Sequence, residues 1–412
     1  MTAIFGPTRR QVCAGLAGAL AYGPGRAFAG TNEIKIGVLN DMSGPIADIT
    51  GQGSVVAANM AVEDFGGKAA GRKVTILSAD HQNKVDVGSA ITRQWLDVEG
   101  VDAIVDVPNS SVGLAVQNLT RSKKKVFLIT GGQLPEFFGK DCSPTSIHWN
   151  SDTYALARGT VHALTKQGYK SWFFLTADFA FGISSEAEAA AAVKLDGGTV
   201  LGSVKHPFNT ADFASFLLQA QAAQPQVVGL ANAGGDTIQC LKQAKEFGIA
   251  NDKTKIAGLA LFITDIDSVG LAAAQGTFVT ETFYWDMDEK TRAFGKRFME
   301  RWHGKPPTSL HAAVYGAVTH YLKAIDAAGT DDGPTVVAKM KEIPVEDMFT
   351  HGAKIRPDGR VLRNMYLFQV KSPQESKYPW DYYKLVATIP PEDAIKPMAE
   401  GHCPFVEGTR NG

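Results

Sequence analysis

Asn109, Ser110 and Ser111, together with Thr130, Gln133 and the glycine pairs Gly131-Gly132 and Gly234-Gly235, are the residues here whose types and spacing could do chemistry. Hydroxyls, amides and unencumbered backbone N–H groups are neutral donors. Several of them around a dry cleft can hold a carboxylate without a full counter-charge. Ser and Gly also dominate ordinary turns, so the pattern gains meaning only from where the elements place it. Groups that would do more than bind are missing. Gly51-Gln52-Gly53 starts like a dinucleotide loop, but the third glycine position falls at Val56. There is no G-K-[ST], C-x-x-C, H-E-x-x-H or G-x-S-x-G, and the nine histidines are scattered singly. His206, His311 and His320 read as surface or hydrogen-bonded core residues. The sequence therefore offers no catalytic residue, no metal-ligand set and no cofactor loop.

The elements that must position the donors alternate strand and helix. Ile34, Ile36, Val38 and Leu39 form an apolar run that breaks at Asn40, Asp41, Ser43, Gly44 and Pro45, so a buried strand ends in a polar loop. Val55, Ala58, Val62 and Phe65 then recur on one face of a 3.6-residue period, which Gly66 and Gly67 stop. Val74, Ile76 and Leu77 give a second strand. This is a βαβ unit, whose ligand loops lie at the carboxyl ends of its strands, here 40–53. Further strands follow at 103–107 and 126–129, each leading into one of the donor loops. From about Trp149 the alternation starts again, with a helix over 154–167, strands at 172–175, 200–204, 226–230 and 256–261, and exit loops 176–182 and 232–235.

The residues Ile36-Gly37-Val38, Met42-Ser43-Gly44-Pro45, Gly51, Gly66-Gly67, Gly71-Arg72-Lys73 and Asp80 resemble the start of the periplasmic leucine/isoleucine/valine-binding proteins, the solute receptors of ATP-driven importers. The likeness recurs to about position 330. It implies an α/β chain of two Rossmann-like lobes, of the periplasmic binding protein type I, joined by a three-crossing hinge with the ligand cleft between them. The expected lobes are 30–148 with 280–343 and 149–279 with 344–389, followed by a tail over 390–412. Thr277 to Trp285 is expected to return as a strand towards the first lobe, and a third crossing near 343–351.

The resemblance also implies roles. The loop Asn109-Ser110-Ser111 grips the ligand carboxylate, Gly132-Gln133 adds a donor, and Phe181 closes over the ligand from the other lobe. Amino-acid binders of this family place a glutamate after the second lobe's last strand to pair the α-ammonium. Here that region reads Gly258-Leu259-Ala260-Leu261-Phe262, with no acid. Asp236 is the candidate substitute, although its place before a helix suits an N-cap. A buried ammonium without a carboxylate costs several kcal/mol. A lining of Tyr154, Phe181, Ala233, Leu261, Phe262 and, near the hinge, Tyr284 suits instead a flat apolar body with one acid group, an aromatic acid. A branched-chain amino acid or an amide is the alternative. A sensory module of the same shape and a secreted enzyme are the rivals from other classes.

Composition bounds the setting. A chain of 412 residues suggests two domains of ordinary size. Thr8-Arg9-Arg10, the apolar run from Val12 to Tyr22 and Ala27-Phe28-Ala29 read as an export signal over 1–29, by the general or the twin-arginine route. Its removal takes away Arg9, Arg10 and Arg26 and no acid, leaving 38 basic against 42 acidic residues, with no basic stripe for nucleic acid or anionic lipid. The expected partners are a small carboxylate and an inner-membrane ABC permease, for a periplasmic monomer not inserted in the membrane. Of Cys142, Cys240 and Cys403, two can pair in an oxidising compartment, and sequence does not choose among the three pairings. Pro-flanked loops around Cys142 and Cys403, against a helical face for Cys240, favour the first two.

Overall fold

The apolar runs become the central strands of two separate sheets in a computed structural model that describes residues 33–251 and 253–406. In the first sheet β1 (Glu33–Asn40) pairs in parallel with β3 (Arg72–Asp80) on one side and β4 (Ala103–Asp106) on the other. β5 (Val126–Ile129) and the short β6 (Ser146–His148) continue it, and β2 (Lys68–Ala69) folds back antiparallel on β3, for the order β2-β3-β1-β4-β5-β6. The second sheet holds β7 (Ser171–Ala177), β8 (Thr199–His206), β9 (Val227–Ala231), β10 (Lys255–Gly258) and β11 (Phe278–Glu281), all parallel. After the small ribbon β12 (Val345–Glu346) and β13 (His351–Ala353), the antiparallel β14 (Met365–Val370) and β15 (Tyr383–Ile389) complete the order β15-β14-β11-β10-β9-β7-β8. Strands buried on both faces read as continuous apolar runs, which is why they were legible.

Helices cover both sheets. Ser309–Ala328, whose Ala313, Val314, Ala317, Tyr321 and Leu322 are fully buried, packs on Gly51–Asp64 of the first lobe. The chain passes between the sheets three times, and the passages are tied to one another. Asp152, on the first, caps the helix Thr153–Lys166 through the N–H of Ala155 at 3.1 Å and pairs with Arg360 of the third at 2.9 Å, both fully buried. Thr282, on the second, donates its hydroxyl to Asn150 Oδ1 at 2.6 Å.

Several expectations shift. The strand expected over 277–285 stops at Glu281, inside the second sheet, and the chain leaves from Thr282. The three-residue β6 has no apolar period and was not anticipated. The tail carries two short helical turns, Pro391–Ala394 and Met398–Gly401, and Cys403 within it is bonded to Cys142. Cys240 is free and buried, and burial pushes its thiol well above the ordinary range. The export signal read at 1–29 lies outside the described residues. No helix among the described residues is long and apolar enough to cross a membrane.

Candidate functional site

The loops at the carboxyl ends of the strands meet along the seam between the sheets. Asp41, following β1, organises the first of them: its carboxylate accepts from the N–H groups of Gly44 at 2.7 Å and Ile46 at 3.1 Å and from Asn83 Nδ2 at 2.7 Å. This presents Pro45, Ile46 and Ile49 to the opposite lobe. The carbonyl of Pro45 accepts the N–H of Gly235 at 3.0 Å, a backbone hydrogen bond across the seam. A Cβ on Gly234 would lie 2.5 Å from that same oxygen.

The second loop follows β4. Asp106 and Val107 turn through left-handed conformations, φ 83° and 58°, which a β-branched residue rarely adopts. The corner is held by the Val107 N–H to Leu39 O at 3.0 Å and by Asp106, which accepts from Asn40 Nδ2 at 2.7 Å and Thr130 Oγ1 at 3.0 Å. Burial raises the Asp106 carboxyl to about 6 despite these donors. The turn delivers Asn109 as the N-cap of helix Ser110–Ser122, with its Oδ1 accepting from Ser111 N at 3.1 Å and Val112 N at 3.2 Å. Across the sheet, the Gly132 carbonyl accepts from His148 Nε2 at 2.9 Å, and burial keeps that imidazole neutral.

These loops and the second lobe enclose a cavity of about 30 Å³ lined by Ile46, Ile49, Pro108, Asn109, Gly131, Gln133, Phe179, Phe181, Phe208, Ala233, Phe262 and Leu310. Of the residues expected at the site, Asn109, Gln133, Phe181, Ala233 and Phe262 are brought together. Gly132 stands just behind Gly131, packed on the Phe137 ring. Ser110 is fully buried, its hydroxyl accepting from Gln133 N at 3.3 Å, and Ser111 contributes its N–H to the Asn109 cap, so neither lines the cavity. Asn109 Nδ2 reaches Asn83 Oδ1 at 3.4 Å and Gln133 Nε2 reaches Ser151 Oγ at 3.0 Å. An amide nitrogen carries two hydrogens, which leaves one on each for a ligand.

Three expected lining residues lie elsewhere. Leu261 folds back onto Gly258 in the core of the second lobe. Tyr284 donates its hydroxyl to Trp380 O at 2.9 Å and packs on Tyr383, with ring centroids 5.0 Å apart. Tyr154 sits between Arg158 and Lys396, with these cations 5.8 and 5.7 Å from its ring. Asp236 is not the N-cap, which is Gly234, and does not line the cavity. Its carboxylate accepts from the N–H groups of Asn209 at 3.2 Å and Thr210 at 2.7 Å and anchors the loop after β8.

Sequence reasoning missed Phe179, Phe208, Ile46 and Ile49. Phe208 comes two residues past the end of β8, and Ile46 and Ile49 lie in the 40–53 loop already assigned to the ligand end, so the strand-end rule held the signal. It also missed Glu281, buried at the end of β11, where the Tyr383 hydroxyl donates to it at 3.2 Å and Ser309 of the first lobe also bonds it. Burial lifts Glu281 to about 8 and Asp265, whose carboxylate accepts the Phe262 N–H at 3.0 Å, to about 7.

Comparison with known proteins bears on this geometry. A family model described as periplasmic binding protein matches residues 33–377. A crystal structure of a periplasmic binding protein from Burkholderia mallei is 46% identical, with a TM-score of 0.88, covering 91% of this chain and 100% of that one. A branched chain amino acid ABC transporter periplasmic ligand-binding protein from Burkholderia xenovorans LB400 is 42% identical, with a TM-score of 0.81, covering 90% and 99%. An ABC transporter solute binding protein from R. palustris, in complex with benzoate, shares the fold at 18% identity and a TM-score of 0.78, covering 87% and 97%.

Proposed function

The chain belongs to the periplasmic binding protein family, and from that premise we propose that it is the periplasmic receptor for an aromatic carboxylate, which it delivers to an inner-membrane ABC permease. The observation that carries this reading is the lining of the seam cavity: Phe179, Phe181, Phe208 and Phe262 with Ile46, Ile49 and Leu310, two amides, and no charged side chain. Asn109 Nδ2 and Gln133 Nε2 serve as the carboxylate donors, and the rings sandwich the flat body. Phe262 occupies the stretch where the amino-acid binders of the family carry their ammonium-pairing glutamate. At about 30 Å³ the cavity holds only a water or two, so a ring-bearing acid enters by parting of the lobes and repacking of Phe179 and Phe208. Ligand contacts both lobes only when they close on it. Its preference for that state drives closure, and the closed form is what the permease reads. No reaction is assigned to the protein.

The second reading, a branched-chain amino acid, is favoured by the description of the 42% identical Burkholderia relative. A melting-temperature screen of benzoates and phenylpropenoates against leucine, valine and small amides separates the two, since a ligand at 100 times its Kd stabilises the native state by about 2.7 kcal/mol. Benzoates are expected to raise the midpoint and leucine to leave it unmoved. The reverse order overturns the assignment, and turnover of the bound acid would overturn the receptor role itself.

A further inference from the structure

After its last strand the chain connects the two lobes once more. From β15 of the second sheet the tail lays the turn Pro391–Ala394 against the helix Thr153–Lys166. Ala394 and Ile395 are buried there, in one apolar cluster with Ala155, Leu156 and Met365. Lys396 completes the hold on the second lobe: its ammonium meets Glu188 Oε1, on the helix Ala180–Leu195, at 3.1 Å and lies 5.7 Å from the Tyr154 ring. Two residues later Met398 already packs against Cys142 and Cys403, whose disulfide belongs to the first lobe. The turn Met398–Gly401 runs so close to that lobe that a Cβ on Gly139 would lie 2.7 Å from the Gly401 carbonyl oxygen. We propose that residues 390–403 are a strap, a fourth limb of the hinge locked by the disulfide, which limits how far the lobes part and thereby how fast the seam exchanges its ligand.

The reach of the link decides what it can do. Only Pro397 stands between the Lys396 and Met398 anchors, so their Cα atoms can never lie more than about 7 Å apart. The proline ring also removes the φ freedom that would let the link swing. Where the strap crosses, the lobes can turn about it, but they separate only by peeling Lys396, Ile395 and Ala394 from one side or Met398 from the other. The disulfide holds Cys403 to the first lobe in either case. Arg356 of the third passage donates from Nη1 to the Lys396 carbonyl at 2.8 Å, and its guanidinium lies 5.7 Å from the Phe138 ring of the first lobe, so the strap is bound to the limb beside it. Wide opening therefore costs buried apolar contact and an ion pair that the closed form keeps. The effect on opening is independent of what the seam binds; the effect on ligand exchange rests on the receptor reading above.

The test lengthens the strap without cutting it, by inserting six Gly/Ser residues between Pro397 and Met398. Both anchors and the disulfide are retained, and six residues added to a loop of 261 barely change its closure entropy, so the unfolding midpoint should stay where it is. Opening is read without ligand from hydrogen exchange of the Gly235 N–H, which bonds the Pro45 carbonyl across the seam. It should exchange about tenfold faster in the lengthened chain, while the amides of β9 keep their rates. Dissociation of a bound aromatic acid, followed by stopped flow, should accelerate in parallel. Cys142→Ser with Cys403→Ser, which frees the first-lobe end, should speed Gly235 in the same direction and also lower the midpoint. An unchanged Gly235 rate in the lengthened chain overturns the strap, and so does an equal acceleration of Gly235 and the β9 amides, which would report loss of stability instead of opening. Faster Gly235 exchange in a chain that binds no aromatic acid would support the strap and overturn the ligand assignment.

Discussion

Replacing Gly234 with alanine separates closure of the lobes from folding of the second one. Gly234 has φ 58° and ψ −128°, a conformation essentially reserved for glycine, so alanine carries a backbone strain of about 1 to 3 kcal/mol whether the seam is open or shut. The second penalty exists only when it is shut. The new Cβ would stand 2.5 Å from the Pro45 carbonyl oxygen and 3.0 Å from the Ile46 side chain, and must retreat to about 3.4 Å for ordinary contact. A shift of that size breaks the Gly235 N–H to Pro45 bond, now 3.0 Å, worth about 1 kcal/mol, and loosens the packing around Ile46. Together these remove about 1 to 2 kcal/mol from the closed state alone, which raises Kd for the bound acid about 5- to 30-fold. Calorimetric titration with the tightest aromatic acid from the melting screen measures this, beside the unfolding midpoint without ligand. A lowered midpoint with Kd within twofold of the native value would show that strain was introduced but that binding does not draw these two loops together.

Four further outcomes follow from the same geometry. Phe181→Ala should weaken the acid by about 1 to 3 kcal/mol; Asn109→Ala should do the same and also lower stability by about 1 kcal/mol, because it removes the cap of helix Ser110–Ser122. Unchanged affinity in both would remove the seam assignment. Reduction of Cys142–Cys403, which closes a loop of 261 residues, should cost about 2 to 5 kcal/mol, seen as a lower midpoint in reductant; an unmoved midpoint with both thiols shown to be labelled refutes it. Glu281 titrates at about 8 in the folded chain against 4.5 for a free glutamate carboxyl. The native state therefore holds a proton that the unfolded chain has lost, and the stability this confers disappears as pH rises towards 8, at up to about 1.4 kcal/mol per pH unit. From pH 7 to 8 the buried His81, His311 and His320, each pulled down to about 4, are neutral in the folded state and largely neutral in the unfolded one, so the decline in that window belongs to Glu281 with a smaller share from Asp265. Denaturant titrations should show it in the native protein and find it flattened in Glu281→Gln; an equal slope in both would exclude this origin.

The alternation of apolar runs with 3.6-period stretches was enough to read both sheets, because strands buried on two faces announce themselves by composition alone. β6 did not, since a three-residue strand carries no period, and the strand that the resemblance implies over 277–285 stops at Glu281, with Phe283, Tyr284 and Trp285 in the passage between the lobes. At the site, the loops could be chosen by the strand-end rule but side-chain directions within them could not. Leu261 and Phe262 are adjacent, apolar and equally bulky, yet one turns back onto Gly258 and the other faces the seam. Nothing in residue type distinguishes them once the chain has left the regular alternation of β10. Ser110 and Ser111 differ again: the Ser110 hydroxyl accepts the Gln133 N–H and the Ser111 N–H goes to Asn109, a competition within the loop that is visible only in three dimensions.

Two buried acids beside the seam lining have their protonation set by burial. Asp265 and Glu281 are buried beside Phe262 and Ser309, next to two lining residues, Phe262 and Leu310. Glu281 senses the charge of Asp265, and Asp265 that of Asp48. Burial lifts them to about 7 and about 8, so at neutral pH Glu281 is mostly a neutral donor and acceptor shared with Tyr383 and Ser309. Under the proposed reading an aromatic acid presents its charge to the amides of Asn109 and Gln133 on the first lobe and its uncharged face to the rings of the second, and leaves the mostly protonated Glu281 bonded to Tyr383 and Ser309.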